Sequence, residues 1–388
     1  MSLPLGRPVV RRAAVRQRAT LLVLGALALA GCGSDDTGGG GRVIGDTLTV
    51  VSLLPLSGPE APVARDLLRG EKLALAEAGG RAGAYQVTLS ALDEGGADPD
   101  SIRQDAAAGA RLALSDSQAI AVIGSLRFES AAVTVPLLNS AGLLQVSPTV
   151  GYPGFVSPLS PGEPDRWYPS GRRSFAPAVA DDVDQATTLV AAIRAASGVA
   201  RPRIVVEREA GPEDVAFADA VADAARAQSA RVVGEPRRAD AVVYAGDDPV
   251  SAAAIAEDVT REAPDALLAF GDDLARTGLE QRLAPSAARR AVFVSRAPEP
   301  ASTPALRAFE TEYARRFGSA PGPYAVLGYA TMRSLLRDGI AAAGAQASER
   351  GRLIQTYLAS ARSAPALSAY RLRGERRVYV DGTDRPPR

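Results

Sequence analysis

Among the side chains that can do chemistry, three serines (Ser57, Ser125 and Ser147) fall near the ends of predicted strands. Four aspartates form two adjacent pairs, Asp247-Asp248 and Asp272-Asp273. The 388-residue chain has no histidine and one cysteine, Cys32. A serine nucleophile needs a positioned base, and the usual one is absent. Zinc sites built from cysteine and histidine are excluded for the same reason, which leaves only carboxylate-oxygen sites for a hard cation. Carboxylate-only chemistry of the glycosidase kind needs two acids at a fixed separation, and Asp247 with Asp273 is the pair that would have to supply it. No enzyme is expected, no metal is called for and no cofactor is implied.

The elements that must position these residues alternate along the chain. Residues 47–54 (TLTVVSLL) read as a β-branched strand, and 67–78 carry apolar residues at helical spacing. Strands follow at 85–92, 120–124 and 143–147, with helices at 100–115 and 130–141. Beyond the Pro-rich, turn-rich stretch 151–173 the rhythm resumes. Helices are predicted at 184–196, 214–228 and 249–262, between short strands at 203–206, 231–233, 241–245, 266–270 and 291–294. Two more helices, 304–317 and 324–344, complete the set. Short strands alternating with helices of about a dozen residues imply parallel sheets covered on both faces. The expected fold is α/β, with two doubly wound parallel-sheet lobes.

Ahead of residue 32 lie Arg7, Arg11, Arg12, Arg16 and Arg18, then the apolar run 19–30. A basic region, a short apolar region and small residues before a cut have the layout of a secretory signal. The run is about half the length a membrane-spanning helix needs. Leu29-Ala30-Gly31-Cys32 resembles a bacterial lipobox, which makes Cys32 the lipidated first residue of an exported protein, with 1–31 as its signal peptide. Arg11-Arg12 lacks the rest of a twin-arginine pattern, so general secretion is expected. Residues 32–45, Gly-rich and polar, read as a flexible tether. The leader takes five arginines and no acid from a chain balanced at 44 basic and 44 acidic residues, so the remainder is acidic by five charges. No nucleic acid partner is expected from that balance. With its one cysteine at the junction, the secreted part has no internal disulfide to rely on.

Several short motifs, taken in order, resemble a known family. They are Pro55-Leu56-Ser57-Gly58-Pro59, Asp93-Glu94-Gly95-Gly96-Ala97-Asp98-Pro99 and Ala121-Val122-Ile123-Gly124-Ser125. After these come Val135-Pro136-Leu137-Leu138-Asn139, Gln145-Val146-Ser147-Pro148-Thr149 and Asp181-Asp182-Val183-Asp184-Gln185, and last Gly322-Pro323-Tyr324 with Gly328-Tyr329. Together they resemble the type I periplasmic binding proteins, specifically the branched-chain amino-acid receptors of ABC importers, over 47–380. The resemblance implies a three-crossover hinge between the lobes. Lobe I would be 46–176 plus 299–366, and lobe II 177–298 plus 367–382. A ligand would sit between them at the carboxyl ends of strands, and lobe closure would signal to a permease.

The resemblance also implies site residues. The family binds an amino-acid carboxylate with serines of the loop before the third helix and with a Ser-Pro-x-x-Thr segment. Here the first loop offers Ser125, with Arg127 and Phe128 where a pair of serines is usual. The second keeps Ser147 and has Gly151 in place of threonine, with Thr149 as the nearest substitute. Arg127 is able to take a carboxylate bidentately, or else to pair with Glu129 in solvent. The ammonium partner maps to Asp273, with Asp272 expected to cap the following helix. Asp247 and Asp248 stand where the family's Gly-rich turn brings aromatic residues, and Ala210-Gly211-Pro212-Glu213 lacks the cleft tyrosine. Trp167 and Tyr168 are expected to anchor their loop. The scaffold is kept and the amino-acid contacts are altered, in the direction of a larger or cationic ligand.

The leading expectation is a lipid-anchored, extracytoplasmic solute receptor of an ABC importer. It would act as a monomer, binding an amino acid or related amide and partnering an ABC permease. The alternative is a sensory or scaffolding envelope lipoprotein that has lost amino-acid transport.

Overall fold

A computed structural model describes residues 41–95, 99–361, 363–374 and 376–380. The expected signal peptide, Cys32 and most of the expected tether lie outside them, as does Gly96-Ala97-Asp98. Among the described residues no helix is long and apolar enough to cross a membrane.

The first strand, β1 (Thr47–Leu54), is buried over nearly its whole length, as its unbroken β-branched and leucine content requires of a strand covered on both faces. It is followed by α1 (Ala61–Glu77), β2 (Arg81–Ala82), β3 (Tyr85–Asp93), α2 (Pro99–Ser115), β4 (Ala119–Ile123), α3 (Phe128–Ser140), β5 (Leu144–Ser147) and β6 (Phe175–Pro177). The strands lie in the order β2-β3-β1-β4-β5-β6, parallel except for the β2–β3 pair.

The chain then builds a second sheet from α4 (Asp182–Ser197), β7 (Arg203–Arg208), α5 (Pro212–Ala227), β8 (Arg231–Val232), β9 (Ala241–Ala245), α6 (Pro249–Glu262), β10 (Leu267–Phe270), α7 (Asp272–Arg276), α8 (Pro285–Ala288) and β11 (Ala291–Ser295). It returns to the first sheet with α9 (Pro304–Phe317), α10 (Ala325–Ser334) and α11 (Arg350–Ala359). It finishes in the second with the hairpin β12 (Ser368–Arg373) and β13 (Arg376–Tyr379). That sheet runs β13-β12-β11-β10-β9-β7-β8, parallel apart from the hairpin. We call the two sheets with their helices the first and second lobes.

Differences from the sequence reading are local. Helix α1 starts six residues earlier than its apolar repeat, with Pro62 in the first turn where a missing N–H is harmless. The long helix expected over 324–344 is α10 followed by a wider π-helical stretch, Leu335–Ala341. Helix α11 went unread although Leu353, Ile354 and Tyr357 form its buried stripe. The end of the expected tether is packed: Val43 is 1% exposed and its amide donates to the Ser348 carbonyl at 2.8 Å.

Helices α1 and α10 cross at backbone distance. A Cβ on Gly70 would stand 1.9 Å from the Ala325 carbonyl oxygen, and one on Gly328 would stand 2.1 Å from that of Leu67. This crossing sets Tyr324, the residue that opens α10, against the second lobe. Gly328→Ala should therefore force the helices apart and lower stability by about 1–3 kcal/mol, the usual cost of overpacking. Urea unfolding followed by circular dichroism measures this; an unchanged midpoint would refute the close crossing.

Candidate functional site

Open α/β sheets leave a crevice at the carboxyl ends of strands where the strand order reverses. In the first lobe those ends carry the loops after β1, β4 and β5; in the second, the loops after β7, β9 and β10. The cleft between them is narrow and opens to solvent. Its first-lobe wall includes Arg127, Phe128, Glu129, Thr149 and Tyr152, and its second-lobe wall Glu213, Asp214, Asp247, Asp273 and Arg276.

The loops are held by acids of the β3 turn. Asp93 accepts the amides of Leu56 and Gly95, both at 2.9 Å, and buried Glu94 accepts that of Leu126 at 3.1 Å. Gly124, at φ +145°, lets the β4 turn pass against β1, where a Cβ would meet the Leu53 carbonyl oxygen at 2.1 Å. The motifs around 55–59, 93–95 and 121–125 thus build the frame of the cleft.

Arg127, Phe128, Thr149, Asp247 and Asp273 come together on its walls. Ser125 and Ser147 do not. Both are fully buried, with the Ser125 hydroxyl 3.2 Å from that of Thr134. Ser147 donates to the Ser125 carbonyl at 2.8 Å and accepts the amides of Thr149 and Val150 at 3.3 and 2.9 Å. These hydroxyls tie one loop to the next. Thr149 spends its proton on the Leu126 carbonyl at 2.8 Å, which leaves it an acceptor.

Arg127 pairs with Glu60 rather than with Glu129 or solvent. Phe128 sets its ring edgewise against Tyr152 at 4.7 Å and packs on Phe155, which in turn contacts Trp167. Trp167 and Tyr168 sit in this cluster and anchor the Pro-rich loop. The two aspartate pairs divide their work. Asp248 caps α6, accepting the amides of Val250 and Ser251, each at 3.0 Å. Asp272 does not cap α7; Gly271 holds that position. Instead, fully buried, Asp272 accepts the Arg296 amide at 2.7 Å, the Tyr324 hydroxyl at 2.8 Å and the Ser295 hydroxyl at 3.0 Å, which ties the second lobe to α10 of the first.

Sequence reasoning missed Glu60, Arg276, Arg296 and Asp182. Glu60, 2% exposed, bonds Arg127 of its own lobe and Arg276 of the other. Arg276 lies one turn after Asp273 and also bonds it at 2.6 Å, a spacing readable once α7 is recognised. Arg296 bonds Asp182 and the Ala180 carbonyl where the chain crosses between lobes.

The remaining acids are crowded. Burial first, then Glu129, Glu209 and Asp248, push Asp247 up to about 6 against the pull of Arg127. Burial, with Asp247, Glu209 and Glu129, pushes Asp214 up to about 7. Glu213 rises well above the carboxylate range through burial and through Glu129, which faces it from the first lobe. Asp273 is held up by the drying effect of the narrow walls, although 45% of its side chain opens to the cleft, and by Asp272, Asp182 and Asp247. Burial lowers Arg276 to about 10, so it stays charged at neutral pH. Among the described residues no cluster has the arrangement of a metal site.

Residues 47–362 match the profile of a family described as periplasmic binding protein. The fold is similar to that of a leucine binding protein, LivK, from Thermotoga maritima, at TM-score 0.69 and 16% identity, over 86% of this chain and 97% of that one. An ABC transporter substrate-binding protein from Desulfitobacterium hafniense in complex with Leu aligns at TM-score 0.65 and 17% identity, over 86% and 100%. A solute binding protein from R. palustris in complex with benzoate aligns at 0.63 and 16%, over 86% and 95%. No curated protein sequence matches the chain.

An acid whose folded-state pKa is raised keeps its proton where the unfolded chain has lost it. Stability then falls as pH climbs from the unfolded value to the folded one. For Asp214 that window runs from 3.8 to about 7. Asp214→Asn, which cannot ionise, should lose less melting temperature between pH 4 and pH 8 than the parent protein. Parallel slopes in differential scanning fluorimetry would mean that Asp214 is not held protonated.

Proposed function

The chain belongs to the periplasmic binding protein family, and we propose that it is an extracytoplasmic solute-binding protein of an ABC importer, taking a small polar ligand with a cationic or amide nitrogen between its lobes. One observation carries the ligand class. Glu213, Asp214 and Asp247 face Glu129 across the cleft, with Asp273 beside them on Arg276, while the guanidiniums of Arg127 and Arg276 both bond Glu60. A positive group entering there relieves acid–acid repulsion and ionises carboxyls that otherwise hold their protons. Phe128, Tyr152, Phe217 and Tyr244 supply apolar surface for the rest of the ligand, and aromatic faces also attract cations.

In this reading lobe closure presents the loaded protein to a permease. The role is binding rather than catalysis, and a monomer suffices for it. Structures of similar fold named as complexes with Leu and benzoate are in keeping with a small organic ligand. The anchoring belongs to the same proposal: a lipid on Cys32 holds the protein at the outer face of the membrane. A second reading, a sensory or scaffolding lipoprotein, is favoured by the direct Glu60–Arg276 pair, which joins the lobes through the chain's own groups.

Two measurements test these statements. Purified protein is screened for thermal shifts with amino acids, amides and amines. A ligand at a hundred times its Kd adds about 2.7 kcal/mol, read as a clear rise in melting temperature. Asp273→Asn should weaken that ligand at least tenfold, about 1.4 kcal/mol. A flat screen on folded protein would shift the reading to the scaffold. Separately, intact mass of membrane-extracted protein should report a lipidated chain starting at Cys32, and Cys32→Ser should abolish that species; an unmodified Cys32 would refute the anchor.

A further inference from the structure

Buried Glu60 joins two residues of the cleft wall, Arg127 and Arg276. Glu60 stands at the N-cap of α1, 2% exposed. One of its oxygens bonds Nε of Arg127, at the N-cap of α3 in the first lobe. The other bonds Nη1 of Arg276, in α7 of the second lobe. The Arg276 side chain is 2% exposed, its Nη2 goes to Asp273 at 2.6 Å, and its Nε has no partner. Two guanidiniums from opposite lobes therefore converge on one carboxylate that belongs to the chain itself. A free carboxylate bound between the same two groups would bridge the lobes in the same way.

We propose that Glu60 is a built-in carboxylate that fills the anion position of the cleft, so that the lobes latch through the chain's own group and the site selects amines and amides over α-amino acids. The selectivity half rests on the solute-binding reading above; the latch half does not. With Glu60 in place, an incoming α-carboxylate finds the charge of both guanidiniums already compensated and meets Asp247, Asp273, Asp214, Glu213 and Glu129 as well. An amine meets carboxyls that it can ionise and then bind. Removing a member of a buried charge network leaves the others uncompensated, so the network is an all-or-none unit.

The experiment is chemical rescue. Glu60→Ala leaves a carboxylate-sized gap between Arg127 and Arg276 and should melt several degrees lower. Acetate, at constant ionic strength against chloride, should restore the loss with a saturable dose response. The parent protein should not respond, and neither should Glu60→Ala combined with Arg276→Ala. Leucine should stabilise Glu60→Ala and not the parent. If Glu60→Ala does not fold, Glu60→Gln keeps the shape and removes the charge, and X-ray scattering should then report a larger radius of gyration. Equal acetate responses in parent and variant, or an unchanged radius in Glu60→Gln, would overturn the latch. Leucine binding by the parent as tight as any amine would overturn the selectivity while leaving the solute-binding reading intact. Rescue by acetate in a protein that binds no amine or amide would keep the latch and remove the receptor.

Discussion

The organisation of this molecule depends on the cost of burying charge. Four side chains at the junction of the lobes, Glu60, Asp272, Arg276 and Arg296, are nearly or fully out of solvent. Each is tolerable only because an opposite charge or a set of hydrogen bonds compensates it. Asp272 takes donors from Arg296, Ser295 and Tyr324, and Glu60 takes one from Arg127 and one from Arg276. Because the partners come from both lobes, the requirement for compensation becomes a requirement for a particular approach of one lobe to the other.

The walls of the cleft follow the opposite logic. Asp214, Asp247 and Glu213 lie close together with few cationic partners, and burial plus mutual repulsion hold their protons on. The same residue type is thus used in two ways within a short distance. Paired acids act as joints, and unpaired ones form a surface that favours positive charge. Among the described residues no metal-type cluster forms; the amine or amide proposed above is the kind of group such a surface would suit.

The sheets explain why these residues meet at all. Parallel strands send their carboxyl ends to one edge, and the loops after β1, β4, β5, β7, β9 and β10 all open on the cleft. Small residues make the frame exact: Gly70 and Gly328 let α1 and α10 touch, and Gly124 lets the β4 turn lie against β1. Ser147 and Ser125 then brace the loop that carries Arg127. Where the resemblance implied serine contacts to a ligand stands a braced loop bearing a guanidinium.

Local sequence was enough for what depends on local physics. Alternating short apolar runs and amphipathic segments dictate most strands and helices and the α/β class, because backbone periodicity is written into neighbouring residues; the short strands β2 and β6 and the final hairpin were not read from it. The acidic turns at 247–248 and 272–273 were legible as candidates for the same reason. Tertiary structure decided which member of each pair does what. Asp272 looked like a helix cap until Tyr324 and Arg296, distant in sequence, proved to be its donors. Glu60 carried no signal: a glutamate after Gly58-Pro59 is unremarkable until Arg276, more than two hundred residues later, arrives at its carboxylate. Composition and spacing determine elements. Whether a charge is a joint, a cap or a binding group depends on burial and on partners from elsewhere in the chain, and only the folded molecule supplies both.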